Sequence, residues 1–194
     1  MKRALYLGVL ATTVVLLAGC GSKAKPVFEG TALNPPPSAP NFNLHDDRGH
    51  AVTMASYLGH PVVVAFLYTK CPDVCPLIAQ NLNQALKQTP AQDAGLRVIG
   101  ISVDPKNDTP GAVRQYVTVH RLVSRFTYAI GSRAELLPVW KGYHVAVTPG
   151  SSGTVTHSAF ELLIDASGHE RAVYGSDVTA AQVLHDLSEL SKGA

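Results

Sequence analysis

The sequence has little charge and almost no net charge of either sign. Only 15% of its 194 residues are charged, and the formal net charge at pH 7 is +2. Lys2 and Arg3 account for that excess, so the rest of the chain carries 14 basic and 14 acidic side chains. A balanced chain lacks the basic surface that nucleic-acid binding requires. We therefore expect no nucleic-acid partner.

The N-terminal apolar stretch is too short to cross a membrane comfortably. Residues 4–19 span 16 residues, whereas a membrane-spanning helix needs about 20. The stretch follows two basic residues and ends in Leu-Ala-Gly before Cys20, which resembles a bacterial lipoprotein signal. We therefore predict a signal peptide at residues 1–19 and a lipid on Cys20, which would hold the protein on the extracytoplasmic or periplasmic side of the cell membrane. An uncleaved anchor and an ordinary signal peptide are the alternatives.

Cysteine is scarce, since the chain has only three. Lipidation of Cys20 would leave Cys71 and Cys75. Outside the cytoplasm such a pair could form a structural disulfide. Because the two residues are four positions apart, that bond would constrain the unfolded chain little. A proline follows each cysteine beside a predicted helix start, which instead indicates thiols presented for chemistry.

The pair lies in the segment VVVAFLYTKCPDVCP, residues 62–76. Its apolar, β-branched beginning predicts a buried strand, and residues 77–88 have apolar side chains at helical spacing. Proline disfavours the α region for the residue before it, so both cysteines are expected to be extended or turn-like. The positive end of the following helix would favour thiolate over thiol.

The remaining pattern alternates strands with helices. Residues 20–39, which contain PPPSA, predict a stiffened membrane tether, and residues 42–53 predict a hairpin. Further strands are predicted at 96–103, 126–130, 159–165 and 170–174, further helices at 112–122, 132–140 and 179–190, and an exposed loop at 147–154. This order indicates an α/β domain at residues 40–194, with a central mixed sheet flanked by helices and an N-terminal β-hairpin.

Three ordered motifs resemble those of the SenC/Sco family. They are YTKCPDVCP, SVDPKNDTP (residues 102–110) and VTHSAFELLID (residues 155–165). The resemblance covers most of residues 40–194 and implies a thioredoxin-like fold. It further implies a metallochaperone that carries one copper ion per chain, as Cu(I), Cu(II) or both. The implied recipient is the binuclear copper centre of cytochrome c oxidase subunit II, or another extracytoplasmic copper protein.

The third motif supplies His157, which the resemblance implies is a copper ligand beside the two cysteines. Two thiolates and an imidazole suit copper, whereas a structural zinc site normally has four protein ligands. Asp73 lies between the cysteines and is predicted to shape the loop or face a partner. Asp104 and Asp108 match the second motif, where turn and helix-cap chemistry or a role near the metal would both fit.

A second function, from a different class, stays open on the same residues. Cys71 and Cys75 could be the redox pair of a thiol–disulfide reductase that keeps the recipient's copper-ligand cysteines reduced. Against it, the cysteines are four positions apart rather than three, and no cis-proline is evident beside them. A peroxiredoxin-like peroxidase fits less well, because Thr69 lies two residues before Cys71 rather than three.

Overall fold

The computed structural model describes residues 25–89, 95–150 and 154–193. The predicted signal peptide and Cys20 lie outside these ranges. Within them, no helix is long and apolar enough to cross a membrane.

The described residues form short strands and helices in alternation. The strands are β1 Thr31–Ala32, β2 Asn43–His45, β3 Ala51–Thr53, β4 Val62–Leu67, β5 Arg97–Ser102, β6 Phe126–Ala129, β7 Val147–Pro149, β8 Val155–His157, β9 Phe160–Ile164 and β10 Glu170–Gly175. The helices are α1 Val74–Gln88, α2 Pro110–Val119, α3 Arg133–Gly142 and α4 Ala180–Gly193, and a 3₁₀ turn lies at Met54–Tyr57.

One mixed sheet organises the domain, with strand order β1-β10-β9-β4-β5-β6. β4, β5 and β6 are parallel, whereas β9 runs antiparallel to β4, and β10 runs antiparallel to both β9 and β1. The helices α1 and α2 connect the parallel strands, since a parallel pair needs a long crossover. The predicted α/β class with a mixed sheet is confirmed.

The central strand β4 shows that both sheet faces are covered. Successive side chains of a strand point to opposite faces, yet each residue of β4 is at most 1% exposed. α1 packs against α4 and β5. Phe66 of β4 contacts Tyr143, which follows α3, and Phe160 of β9, with ring centroids 5.7 and 5.9 Å apart. Burial on both sides explains why this strand reads as a continuous apolar run.

Two local predictions, the hairpin and the start of α3, are confirmed. β2 pairs with β3, Leu44 lies opposite Val52, and the turn contains Gly49 at φ +86°, a conformation that glycine adopts without strain. Ser132 and Glu135 form a capping box at the start of α3, which satisfies backbone donors that the helix itself leaves free.

The N-terminal segment differs from its prediction. A tether is predicted for residues 20–39, yet β1 adds to the edge of β10. The backbone N–H groups of Glu29 and Gly30 donate to the carboxylate of Asp186 at 2.7 and 3.0 Å. A Cβ on Gly30 would lie 2.7 Å from the ring of Tyr174, so only glycine allows this close approach. The packed unit therefore begins before the predicted boundary at residue 40, while a tether at residues 20–24 stays a prediction outside the described part of the chain.

Candidate metal centre

The two cysteines follow the carboxyl end of β4, where the chain turns into α1. Cys71 donates its backbone N–H to the carbonyl of Tyr68 at 3.2 Å. The backbone N–H of Cys75 donates to the Cys71 sulfur at 3.3 Å. Both thiols are free, so the turn brings two sulfur ligands to one place. The prediction that both cysteines are extended or turn-like is wrong for Cys75, because α1 already begins at Val74 and includes it.

The electrostatics of Cys75 also differ from the expectation. Its side chain is only 2% exposed. Burial raises the pKa of the Cys75 thiol, and the hydrogen bond with Cys71 raises it further. For this residue, desolvation of a thiolate outweighs the positive end of the helix. Without a cation nearby, burial therefore favours the thiol form of Cys75.

His157 lies at the end of β8 rather than in a loop. β7 and β8 form a small antiparallel pair in which Val147 lies opposite His157, so the exposed loop predicted for residues 147–154 is partly strand. The imidazole Nδ1 lies 2.8 Å from the carbonyl oxygen of Ser158. A carbonyl only accepts, so Nδ1 carries the proton and Nε2 keeps its lone pair. Desolvation lowers the pKa of His157, which favours the neutral, ligating form.

Tyr68 connects the two parts of the site, and the sequence pattern indicates it only as a strand residue. Its ring meets that of His157 edge-on, with centroids 6.1 Å apart. Burial raises the pKa of the Tyr68 hydroxyl first, and the neighbouring Cys71 thiol raises it further. A hydrogen bond with the backbone of Val155 in β8 acts in the opposite direction. Tyr68 thus touches the cysteine loop and the strand that carries the histidine.

The structure brings the predicted ligands together only in part. Cys71 and Cys75 are in direct contact, and His157 contacts Tyr68, whose hydroxyl interacts with Cys71. Across the described residues, no three His, Cys, Asp or Glu side chains lie close enough to hold a metal ion together. The chemistry of the donors nevertheless fits a soft metal: two sulfurs, one of them partly exposed, and a neutral imidazole with one free nitrogen.

Asp108 fixes the chain just before the cysteines. Its buried carboxylate accepts hydrogen bonds from the Thr69 N–H at 2.8 Å, the Thr69 hydroxyl at 2.7 Å and the Ser102 hydroxyl at 2.6 Å. The Tyr128 hydroxyl donates to it at 3.2 Å. Burial raises the pKa of Asp108 in spite of these bonds. Asp108, in the loop that follows the neighbouring strand β5, therefore positions the chain before the cysteines.

Of the other two acidic candidates, Asp104 makes a hydrogen bond within its own loop, whereas Asp73 does not cap the helix that follows it. Asp104 is buried and accepts from the side-chain amide of Asn107 at 2.7 Å. Asp73 is the residue before α1, and its side chain makes no capping hydrogen bond. In the second motif, the residue that caps α2 is Thr109, whose hydroxyl accepts a hydrogen bond from the backbone N–H of Ala112. Hydrogen bonds that hold the loops in place therefore explain the two aspartates of the second motif, Asp104 and Asp108.

The fold and the adjoining thiols define an α/β dithiol protein of thioredoxin-like architecture. A model of the SCO1/SenC family matches residues 31–192, and the chain belongs to that family. Among curated relatives, an SCO2-like protein of Rickettsia prowazekii is 24% identical over 149 residues, covering 74% of this chain and 72% of the relative.

Solved structures of the family resemble the domain closely. ScoI of Bradyrhizobium japonicum, solved with copper bound, is 31% identical with a TM-score of 0.67, covering 78% of this chain and 98% of that one. BsSco, from the Sco family of cytochrome c oxidase assembly proteins, is 21% identical with a TM-score of 0.68. The match covers 80% of this chain and 94% of the BsSco chain, and a disulfide switch has been identified in BsSco.

Proposed function

We propose that this protein binds copper through Cys71, Cys75 and His157 and delivers it during cytochrome c oxidase assembly. The proposed recipient is the copper centre of subunit II, or another extracytoplasmic copper protein. The observation that carries the proposal is the pair of free, adjoining cysteines, joined by the hydrogen bond from the Cys75 N–H to the Cys71 sulfur. Family membership and the copper-bound ScoI structure support the choice of metal.

Each donor would contribute a different property. Two thiolates are soft ligands that suit Cu(I), and a neutral imidazole also suits Cu(II). Cys71 is partly exposed, whereas Cys75 is buried, so an incoming or departing ion would meet Cys71 first. His157 already has its Nδ1 proton directed at its own strand, which leaves Nε2 for the metal. Among the described residues, no three such side chains lie close enough to hold a metal ion together, so complete coordination would bring His157 and the two sulfurs closer than they lie here.

Copper titration of two histidine variants tests the site. His157→Ala should weaken Cu(II) binding by more than about 100-fold, because even the outer partners of metal ligands are worth about 10- to 100-fold. Cu(I) binding should weaken less, since two thiolates remain. His50→Ala is the matched control, because His50 is exposed on the hairpin turn. An unchanged Cu(II) spectrum in His157→Ala would remove this residue from the site.

The cysteines require a separate test. The reduced protein should bind one copper ion per chain, and the oxidised protein much less, because a disulfide offers no thiolate. Equal copper content before and after reduction would contradict the proposed ligands.

Thiol–disulfide exchange is the second candidate function, and the same pair of sulfurs favours it. Cys71 is the more accessible sulfur, with Cys75 placed to resolve a mixed disulfide. The raised pKa of Cys75 opposes fast exchange, because thiolate is the reactive species. Thiol exchange measured on His157→Ala separates the functions. A reductase would lose exchange rate while keeping both copper states, whereas a copper carrier would keep its exchange rate and lose mainly Cu(II) binding.

We further propose that the domain is held at the membrane by a lipid on Cys20, facing the extracytoplasmic side. The signal-like sequence before Cys20 supports this. Mass spectrometry of membrane-extracted protein should find a diacyl- or triacylglyceryl group on that residue. A mature chain that begins at another residue would contradict the anchor.

A further inference from the structure

A groove of about 600 Å³ opens beside the cysteine loop. One wall is the loop after β5, with Val103, Pro105 and Lys106, and the other wall is the β7–β8 pair, with Pro149 and Val155. The groove therefore lies between the loop that Asp108 ties to the cysteines and the strand pair that ends in His157.

Three basic side chains surround this groove. Lys70, Lys106 and Arg133 are all exposed. Lys70 donates to the side chain of Asn107 at 2.6 Å, and the Arg133 guanidinium lies 5.9 Å from the ring centre of Trp140. These contacts hold Lys70 and Arg133 in place beside the groove.

Two acidic side chains lie near the same groove and neutralise it only in part. The carboxylate of Asp104 is buried and bonded to Asn107. The carboxylate of Glu135 accepts hydrogen bonds from the backbone N–H and the hydroxyl of Ser132, each at 2.7 Å. The exposed charges of the rim are therefore mostly positive, in a chain that is otherwise balanced.

We propose that this groove binds an extended acidic segment of the protein that exchanges copper with this chain. The inference rests on the proposed copper transfer and adds the chemistry by which the partner is recognised. The apolar residues of the two walls accept alternate side chains of an extended peptide, and the basic rim accepts the carboxylates between them. A peptide fits better than a membrane surface, because the apolar residues lie in a concavity that a flat layer of headgroups would not fill.

The position of the groove gives such binding a consequence for copper transfer. Lys70 directly precedes Cys71, and Val147 of the opposite wall pairs with His157. A segment lying in the groove would contact both elements that carry the proposed ligands. It would place the partner's own ligands beside the cysteine loop.

Peptide binding to the whole protein tests the groove directly. The probe is a short fluorescein-labelled peptide in which Asp alternates with Val, compared with the same peptide carrying Lys for Asp. Lys106→Glu combined with Arg133→Glu should weaken binding of the acidic peptide at least about tenfold. The matched control is Lys87→Glu combined with Lys141→Glu, which changes the net charge equally and should alter binding by less than about twofold at physiological salt.

The possible outcomes separate this inference from the proposed function. Selective loss in the groove variant, with Cu(I) binding unchanged, supports the groove. The groove is refuted if the unaltered protein does not bind the acidic peptide, or if the control variant weakens binding equally. It is also refuted if Lys106 and Arg133 matter only for binding to anionic lipid vesicles. If the unaltered protein binds no copper, that result would count against the proposed copper site rather than against the groove.

Discussion

Glu161 provides a sharp test of the fold, because it places a carboxyl group inside the sheet. It lies on β9, opposite Ala65 of β4 and Tyr174 of β10, and it is only 1% exposed. Among the described residues, nothing donates a hydrogen bond to its Oε2 atom. Burial raises the pKa of Glu161 to about 8, and the nearby charge of Asp177 contributes to the increase. The folded protein therefore holds this group as a neutral acid at neutral pH.

The sign and size of the effect follow from proton linkage. In the unfolded chain the carboxyl group has its ordinary pKa of 4.5. Below that pH it is protonated in both states and has no effect on the pH dependence. As pH rises from 4.5 towards 8, the unfolded state loses its proton first, so the free energy of unfolding decreases by about 1.4 kcal/mol per pH unit. The total loss approaches about 5 kcal/mol, and above pH 8 it stays constant.

Glu161→Gln should remove this pH dependence. Urea denaturation followed by the fluorescence of Trp140, the single tryptophan, gives the free energy of unfolding at each pH. Between pH 4.5 and 7 the variant should gain about 3 kcal/mol relative to the unaltered protein. The comparison across pH cancels the constant cost of burying an amide. Glu29→Gln, at an exposed position, should show no such gain, and a constant difference for Glu161→Gln across this range would refute the argument.

Two further substitutions test the support of the site and the start of α3. Asp108→Asn should lower the free energy of unfolding by about 1–3 kcal/mol and weaken Cu(I) binding, because it disturbs a buried carboxylate that accepts hydrogen bonds from Thr69. Urea denaturation measures the first effect and copper titration the second. An unchanged free energy of unfolding would contradict the role assigned to Asp108. Ser132→Ala should cost about 1 kcal/mol by removing the cap of α3, with copper binding unchanged, and a loss of copper affinity would show that this helix start reaches the site.

The sequence predicts those parts of the fold that depend on local pattern. The buried strand β4, the hairpin at residues 42–53 and the helix predicted from residue 132 each need only neighbouring residues to be recognised. The resemblance adds the overall architecture and identifies His157 as a candidate. No periodicity would have selected that histidine, because its place beside Tyr68 depends on the pairing of β7 with β8.

The features that were missed depend on contacts between distant parts of the chain. The edge strand β1 forms because Gly30 can approach Tyr174 closely, a fit that a proline-rich segment does not reveal. In the sequence, Glu161 fits the polar position of an alternating strand. In the structure, β9 lies between β4 and β10, and the Glu161 side chain is buried. Cys75 enters α1 in spite of the proline after it, because a proline in the first helical turn breaks no intrahelical hydrogen bond.

The electrostatics beneath the cysteine loop oppose a negative charge on Cys75. Burial raises the pKa of Cys75, Asp108, Tyr116 and Tyr128, and the charges of Cys75 and Asp108 further raise the pKa of both tyrosines. Such an interior disfavours a thiolate at Cys75 whether the pair binds a metal or exchanges disulfides. A metal ion changes the balance, because each proton that leaves a sulfur is then compensated by positive charge at the same place. Thiolate formation is therefore coupled to arrival of the cation, and Cys75 should stay unreactive until copper is present.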